Sequence, residues 1–214
     1  KYINYSPFVV RKPRLKSNYA ISPFTIEEIN KILNFKDDWF TNFLAVGFFT
    51  GMRTGEIMAL KWSDIDFINY SIDVNKTATN GFLMTPKTKS SLRIIDMLPQ
   101  CEHYLKKQRL ISGLSEFVFN ANRKSYFRSS SGLIPFWKTR LKEVDLYYRN
   151  IYQTRHSFAS NMLSNGEELN WVSQMLGHKN PSITQEKYFK YIPRKVKERK
   201  HTFMDTFNTK TAHA

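Results

Sequence analysis

The sequence is poor in cysteine and has no long apolar run. Cys101 is the one cysteine in 214 residues, so an internal disulfide is excluded and a reducing compartment is the expected environment. No apolar stretch approaches the ~20 residues that span a membrane, and the start lacks the apolar segment of a secretory signal. We therefore expect a cytoplasmic protein without a membrane partner. Because the chain begins at Lys1 and not at methionine, we also expect it to be a piece of a longer protein.

Acidic residues are scarce as well. Asp and Glu number 18 against 33 Lys and Arg, which gives a net charge of +15 and a pI near 9.8. A folded domain with such an excess of positive charge is typical of proteins that bind polyanions. Charge alone does not distinguish DNA from RNA or from an anionic membrane surface.

The motifs of metal and nucleotide sites are also missing. The close carboxylate pairs are Asp37-Asp38 and Asp64-x-Asp66. The first pair is typical of a helix start and the second of an Asx turn. The sequence has no GxGxxG loop, and it has no GxxxxGK followed by Ser or Thr, so nucleotide hydrolysis and dinucleotide binding lose their usual support. We expect chemistry without a metal or an organic cofactor.

The chain divides into three segments. Residues 1–22 are basic, include Pro7 and Pro13 and have no acidic residue, which predicts an extended linker, either along DNA or as an ordinary tether. Residues 23–191 carry the apolar patterns of a folded domain. Residues 192–214 form a basic tail with weak helical character.

The folded segment predicts an α+β domain that is mostly helical and has a small antiparallel β-sheet. The expected helices are 25–33, 39–49, 54–61, 99–110, 133–145, 154–164, 168–176 and 181–190. The second of them is apolar on nearly every side, which predicts a buried helix. The β-prone runs are 65–67, 71–74, 82–84 and 92–95, with Asn80-Gly81 as a hairpin turn.

Three short motifs follow one another along the chain. They are Gly51-Met52-Arg53-Thr54-Gly55-Glu56, then Tyr152-Gln153-Thr154-Arg155-His156, then Leu176-Gly177-His178 with Tyr188 ten residues later. Together they resemble the tyrosine recombinase (phage integrase) family. In that family the second motif has the form His-x-x-Arg-His, and the nucleophilic tyrosine follows Leu-Gly-His by about ten residues. The order and spacing agree across residues 51–188.

Two arginines are the candidates for binding the scissile phosphate. Cleaving a phosphodiester without a metal requires cations that neutralise the transition state, and a guanidinium is permanently charged and binds two phosphate oxygens at once. Arg53 follows an apolar helix, and Arg155 opens an amphipathic pattern with Phe158, Met162 and Leu163. We expect both Arg53 and Arg155 to be anchored beside the core.

Tyr188 is the expected nucleophile. A free phenol has a pKa of ~10 and attacks poorly unless a base or cation assists it. Lys187, Lys190 and His178 supply an electropositive setting. The family spacing from His178 favours Tyr188 over Tyr191. We expect His178 to hydrogen-bond the transition state or to assist the phenol proton.

A lysine is expected to protonate the leaving 5′-oxygen. The segment Thr85-Pro86-Lys87-Thr88-Lys89 lies between two β-prone runs, and the resemblance maps the acid onto Lys87. Lys89 remains an alternative, and Lys76 is a more distant one.

Tyr152 departs from the family pattern, which most often has histidine at this position. A phenol donates a hydrogen bond to a phosphoryl oxygen but is not a base near neutral pH. We expect Tyr152 to stabilise the transition state; the alternative is that it only packs. His156 is interpreted as a structural, hydrogen-bonded histidine, and Glu56 as a residue that orients an arginine or histidine.

The resemblance implies the catalytic domain of a site-specific DNA recombinase, similar to the integrases of mobile elements. It implies double-stranded DNA as substrate, a nucleoid location, a missing N-terminal DNA-binding domain and a homotetramer on two DNA sites. In such a tetramer the tail docks on a neighbouring protomer, for which Phe203, Met204 and Phe207 offer apolar contacts. Two alternatives remain open: a type IB topoisomerase-like enzyme, and a DNA-binding protein whose site has decayed, for which Tyr152 is the best argument.

Overall fold

Helices form most of the part of the chain that the structure describes. The computed structural model describes residues 20–85, 89–120, 127 and 129–192. The α-helices are α1 (Ile26–Asn34), α2 (Trp39–Thr50), α3 (Thr54–Met58), α4 (Pro99–Ser112), α5 (Ile134–Glu143), α6 (Gln153–Ser164), α7 (Leu169–Leu176) and α8 (Pro181–Tyr188). The strands are β1 (Ile65–Asp66), β2 (Ser71–Val74), β3 (Thr77–Thr79), β4 (Phe82–Met84) and β5 (Arg93–Asp96). The predicted α+β class is confirmed, and every predicted helix overlaps an observed one.

Helix ends follow their local sequence. Thr25 and Glu28 form a capping box at the start of α1. Asp38 caps α2, as the Asp37-Asp38 pair predicted. Gly51 ends α2 in the left-handed conformation, with φ 65°. The chain therefore turns sharply after α2 and enters α3 within a few residues.

The centre of the core is α2. All of its residues except Trp39 and Phe49 are buried, and it packs against α1, α4 and α6. On α4, Cys101 and Leu105 are fully buried against it. The prediction of a helix buried on nearly every side is confirmed.

The helix α6 is more buried than its amphipathic pattern suggested. Residues 153–160 are all buried, because α6 lies against both α2 and α7. Its buried polar side chains, except that of Ser160, have hydrogen-bond partners inside the protein. The Oγ of Ser157 accepts the backbone N–H of Phe24 at 2.7 Å and donates to the carbonyl of Gln153 at 2.8 Å. Paired polar groups tolerate burial, and apolar periodicity does not reveal them.

Two small antiparallel sheets take the place of the one that was expected. Strands β1, β2 and β5 form a three-stranded sheet in that order, and β3 pairs with β4 as a hairpin. The turn at Asn80-Gly81 has φ values of 49° and 87°, so the predicted hairpin turn is confirmed. Strand β3 was not among the predicted runs, since Thr-Ala-Thr carries little apolar alternation.

The hairpin approaches α3 closely because Gly55 has no side chain. A Cβ at Gly55 would lie 2.6 Å from Oγ1 of Thr77 and 2.8 Å from the carbonyl oxygen of Ala78. The glycine of the first motif therefore sets the distance between the hairpin and the start of α3.

Some predicted segments lie outside the described residues. They are residues 1–19 of the linker and the tail from residue 193 onwards, including Phe203, Met204 and Phe207. Within the part of the chain that the structure describes, no helix is long and apolar enough to cross a membrane.

Candidate active site

Arg53 stands at the N-terminus of α3 and lines a cleft of about 430 Å³. Residues 77–80 of the hairpin and residues 150–152, just before α6, line the same cleft. The Arg53 side chain is 34% exposed. Its Nη1 donates to Oε1 of Glu56 at 2.6 Å, and its backbone N–H donates to Oε2 at 2.8 Å. Glu56 thus holds one edge of a guanidinium that the cleft leaves accessible.

Glu56 is a buried carboxylate shared by two arginines. It is 2% exposed, and Arg93 donates to it from Nη1 at 3.1 Å and from Nη2 at 2.9 Å. Burial raises the pKa of Glu56, but the hydrogen bonds and charge of Arg93 and the charges of Arg53 and Arg155 outweigh burial, so the net pKa is lowered. Glu56 is therefore ionised at neutral pH.

Arg93 belongs to this cluster, although no motif in the sequence marks it. It begins β5, and its side chain is 7% exposed. Its Nε donates to the carbonyl of Met175 in α7 at 2.8 Å, and its Nη1 also donates to the carbonyl of Ser91 at 3.2 Å. The available signal is one arginine beside Ile94 and Ile95, a pattern that an ordinary exposed strand position also produces.

Arg155 is buried on α6 and is bound to the ends of two helices. It is 1% exposed. Its Nη1 donates to the carbonyl of Gly51 at 2.7 Å, and its Nη2 donates to the carbonyl of Leu176 at 2.6 Å. These carbonyls lie at the C-termini of α2 and α7, where the helix dipole is negative. Burial lowers the pKa of Arg155 to about 10, so the group keeps its charge at neutral pH.

His178 lies two residues after Leu176, the last residue of α7, with Gly177 as the cap between them. A Cβ at Gly177 would lie 2.9 Å from Cδ of Arg93, so the glycine of the third motif lets Arg93 pass beneath this turn. Nδ1 of His178 lies 2.7 Å from Oγ1 of Thr184. Burial, with nearby positive charges led by that of Arg155, lowers the pKa of His178 to about 3. The imidazole is therefore neutral at physiological pH.

Tyr188 ends α8 and is 1% exposed. Its hydroxyl lies 2.6 Å from Nδ1 of His156. Burial, together with the charge of Arg155, lowers the pKa of His156 to about 4, so this imidazole is neutral as well. The interpretation of His156 as a hydrogen-bonded histidine fits, but its partner is the candidate nucleophile, 32 positions along the chain. The sequence does not show that partnership.

Tyr152 connects the cleft to the buried tyrosine. It lines the cleft with Arg53, and its ring packs edge-to-face on His156 at a centroid distance of 5.1 Å. The rings of His156 and Tyr188 are 5.7 Å apart. Tyr152 therefore packs against its neighbour and borders the cleft at the same time, which is compatible with both roles considered for it.

The three candidate lysines have different outcomes. Lys87 lies outside the described residues, and so does the side chain of Lys89. The ammonium of Lys76 contacts both carboxylate oxygens of Asp64, at 2.6 and 2.5 Å. A lysine held in this way by a carboxylate that is 9% exposed is a poor donor to an external oxygen.

The arginines, histidines and tyrosines described above have the chemistry of an anion-binding site. Arg53 and Tyr152 share the cleft, and the positive charges of Arg53 and Arg155 both lower the pKa of His178. The hydroxyl of Tyr188 contacts His156, whose ring packs against Tyr152. Among the described residues, no three His, Cys, Asp or Glu side chains are placed to hold a metal ion. Permanent cations beside neutral imidazoles and phenols suit the binding of a phosphate diester.

Comparison with known proteins gives a family. Residues 23–192 match the model of the phage integrase family. A tyrosine recombinase XerC-like protein from Caldanaerobacter subterraneus subsp. tengcongensis is 28% identical over 223 residues, which cover 91% of this chain and 57% of that protein. The ICEBs1 integrase of Bacillus subtilis is 29% identical over 174 residues, covering 74% of this chain and 47% of the integrase. The chain thus spans about half the length of these curated relatives.

Solved structures give the same fold. The Tn1549 transposon integrase in complex with a circular intermediate DNA superposes with a TM-score of 0.71 at 17% identity, over 89% of this chain and 67% of that one. The XerA recombinase superposes with a TM-score of 0.64 at 18% identity, over 90% and 66% of the two chains.

Proposed function

The chain belongs to the phage integrase family, and from that membership we propose that it is the catalytic part of a site-specific DNA recombinase that serves a mobile element. The observation that supports the proposal is that Arg53 and Tyr152 line one cleft, that the charges of Arg53 and Arg155 both act on His178, and that Tyr188 contacts His156. Relatives named as integrases and recombinases favour strand exchange over the topoisomerase-like and decayed alternatives.

The scissile phosphate is held by the two arginines. Arg53 approaches it from the cleft with the edge of its guanidinium that Glu56 does not occupy. Arg155 uses two of its N–H groups on helix carbonyls. Because it is as buried as Tyr188, its other N–H groups reach a phosphate oxygen only once the site has opened. Fixed cations in a partly dehydrated site stabilise the negative charge that grows in the transition state. No metal has to supply this stabilisation.

Tyr188 forms the covalent bond. Its oxygen attacks phosphorus, the bond to the 5′-oxygen breaks, and a 3′-phosphotyrosine remains. The phenol proton passes to a neutral imidazole of the site; in the buried position, before α8 moves, the hydroxyl contacts Nδ1 of His156. Lys87 gives a proton to the leaving 5′-oxygen. The 5′-hydroxyl of a partner strand then attacks the phosphotyrosine and restores the phenol, so no cofactor is consumed.

A movement of α8 precedes this attack. The Tyr188 side chain is 1% exposed, and a phenol so buried does not touch a phosphate on an external duplex. Tyr152 and His178, both half-buried, remain at the site while α8 shifts. As neutral groups they hydrogen-bond the phosphoryl oxygens without adding charge.

Double-stranded DNA is the substrate in this proposal. The Tn1549 integrase was solved with DNA, and the net charge of +15 suits a polyanion. Two duplexes exchange strands within a homotetramer on the nucleoid, linker 1–22 leads from an N-terminal DNA-binding domain, and the tail of 192–214 docks on a neighbouring protomer. The folded catalytic domain comprises residues 23–191.

Covalent trapping tests the proposal. The protein is incubated with nicked duplexes tiled across the DNA on both sides of its gene, so that the cleaved end diffuses away and the adduct accumulates. We expect a denaturation-resistant protein–DNA adduct that Tyr188→Phe abolishes and the matched control Tyr191→Phe keeps. Transfer of a labelled strand between two duplexes then separates a recombinase from a topoisomerase. An adduct that survives Tyr188→Phe contradicts the assignment of the nucleophile.

A further inference from the structure

A buried chain of contacts joins the first and third motifs through a residue that belongs to neither. Arg93 donates to both oxygens of Glu56, and Glu56 in turn holds Arg53. In the other direction, Nε of Arg93 donates to the carbonyl of Met175 at 2.8 Å, three positions before His178. The N-terminus of α3 and the C-terminus of α7 are therefore tied to one guanidinium.

We propose that Arg93 is a positioning residue for the cleavage reaction, which keeps Arg53 directed at the phosphate and fixes the turn that carries His178. The inference rests on the proposed function. Arg93 is 7% exposed in its side chain and lies under the site, so it acts through its neighbours and not by touching DNA.

The effect of Arg93 on Arg53 follows from the hydrogen bonds that the two carboxylate oxygens of Glu56 accept. With Arg93 present, each oxygen accepts one N–H from Arg53 and one from Arg93, and only one side-chain nitrogen of Arg53 is engaged. Without Arg93, a buried carboxylate would face a single cation, and the favoured geometry of such a pair is bidentate. Arg53 would then turn inward onto Glu56 and lose the edge that it offers to the cleft.

The turn after α7 depends on the same side chain. Gly177 approaches Arg93 so closely that a Cβ there would lie 3.0 Å from its Nη1. Removing the guanidinium opens space under this turn and frees the Met175 carbonyl. His178, which the turn carries, then loses its fixed position relative to Arg155.

Single-turnover cleavage tests the proposal with Arg93→Gln and Arg93→Lys. At saturating DNA we expect adduct formation to slow by about 10- to 100-fold in Arg93→Gln, as misplaced catalytic groups typically cause, while the Kd for duplex changes by less than about threefold. Arg93→Lys should restore part of the rate, because lysine keeps the positive charge beside Glu56. The rescue is incomplete because its ammonium pairs with only one of the two oxygens that Arg93 binds. The matched control is Arg140→Gln, which removes a guanidinium of similar burial that pairs with Asp38; neither residue lines the cleft.

A neutral substrate separates positioning from lost stability. With a methylphosphonate at the scissile position, less negative charge has to be neutralised, so the deficit of Arg93→Gln should shrink because it acts through Arg53. A plain loss of folding slows both substrates equally. An equal deficit on both substrates, an unchanged rate, or the same loss in Arg140→Gln overturns the proposal.

A binding measurement keeps the proposal distinct from the proposed function. In the intact chain, inorganic phosphate should shift the Nε–H resonance of Arg53 in the nuclear magnetic resonance spectrum, and Arg93→Gln should remove that shift while Arg140→Gln keeps it. If the wild-type protein forms no adduct with any duplex, the recombinase function fails, yet this titration still decides the role of Arg93. Equal responses in wild type and Arg93→Gln, or no response in either, overturn it.

Discussion

Replacing Glu56 with glutamine should destabilise the fold strongly, because no orientation of the amide satisfies its neighbours. The two carboxylate oxygens accept four N–H groups, two from Arg53 and two from Arg93. A glutamine keeps one acceptor oxygen and turns its amide donor toward two other donors. Breaking a buried charge pair in this way costs about 3–5 kcal/mol. At about 2–4 °C per kcal/mol for a protein of this size, the Tm should fall by roughly 6–20 °C.

The pH dependence of the same variant isolates the carboxylate. The folded pKa of Glu56 lies below its ordinary value of 4.5. Its contribution to the unfolding free energy is therefore complete above pH 4.5 and is lost as the pH falls through the lower folded value. Glu56→Gln has no such ionisation, so the difference between the two proteins should shrink below pH 4.5.

Urea unfolding at pH 7 and in the acid range measures both effects. Glu116→Gln is the matched control, because Glu116 pairs with Lys61 while its own side chain is 65% exposed, and such surface pairs contribute about 0–1 kcal/mol. A Glu56→Gln loss as small as that of the control, or a difference that stays constant into the acid range, refutes the reasoning.

Three further predictions concern the histidines, the hairpin and the charge. The folded pKa values of His156 and His178, about 4 and about 3, lie below the ordinary 6.5. The unfolding free energy should therefore decrease as the pH falls from 6.5. Magnetic resonance titration should find both rings neutral at pH 6, and a ring that titrates near 6.5 contradicts this. Gly55→Ala should destabilise by about 1–3 kcal/mol in urea unfolding, since its Cβ would lie 2.6 Å from Thr77 Oγ1, whereas Gly132→Ala, with no atom within 4 Å, should be nearly neutral. Duplex binding should weaken with salt, with a log–log slope of about −0.9 for each phosphate neutralised. An affinity independent of salt contradicts the role assigned to the net charge of +15.

Local signals in the sequence were enough for most of the helices. The apolar run after Asp38 predicted the buried α2, and the helix predicted over residues 25–33 matches α1. The turn at Asn80-Gly81 predicted the hairpin. The division into two sheets was not predictable, because the pairing of short strands is decided by tertiary packing and not by local alternation.

In the candidate site, too, local motifs predicted some residues, while residues defined by long-range contacts were not predicted. Motif spacing predicted Arg53, Arg155 and His178 as site residues. The charges of both arginines act on His178 in the structure, and the catalytic roles of the three residues stay predictions. Arg93 and the partner of His156 escaped notice, since their contacts join positions 37 and 32 residues apart and no local pattern marks such a pair. Polar burial along α6 was missed for the same reason: Ser157 is satisfied by Phe24, which lies 133 positions away.

Mass-spectrometric mapping of the DNA-linked peptide tests the central claim most directly. Digestion of the trapped adduct should yield one peptide that carries a nucleotide phosphate on Tyr188. A nucleotide on Tyr191, on another side chain or on no residue at all would contradict the account.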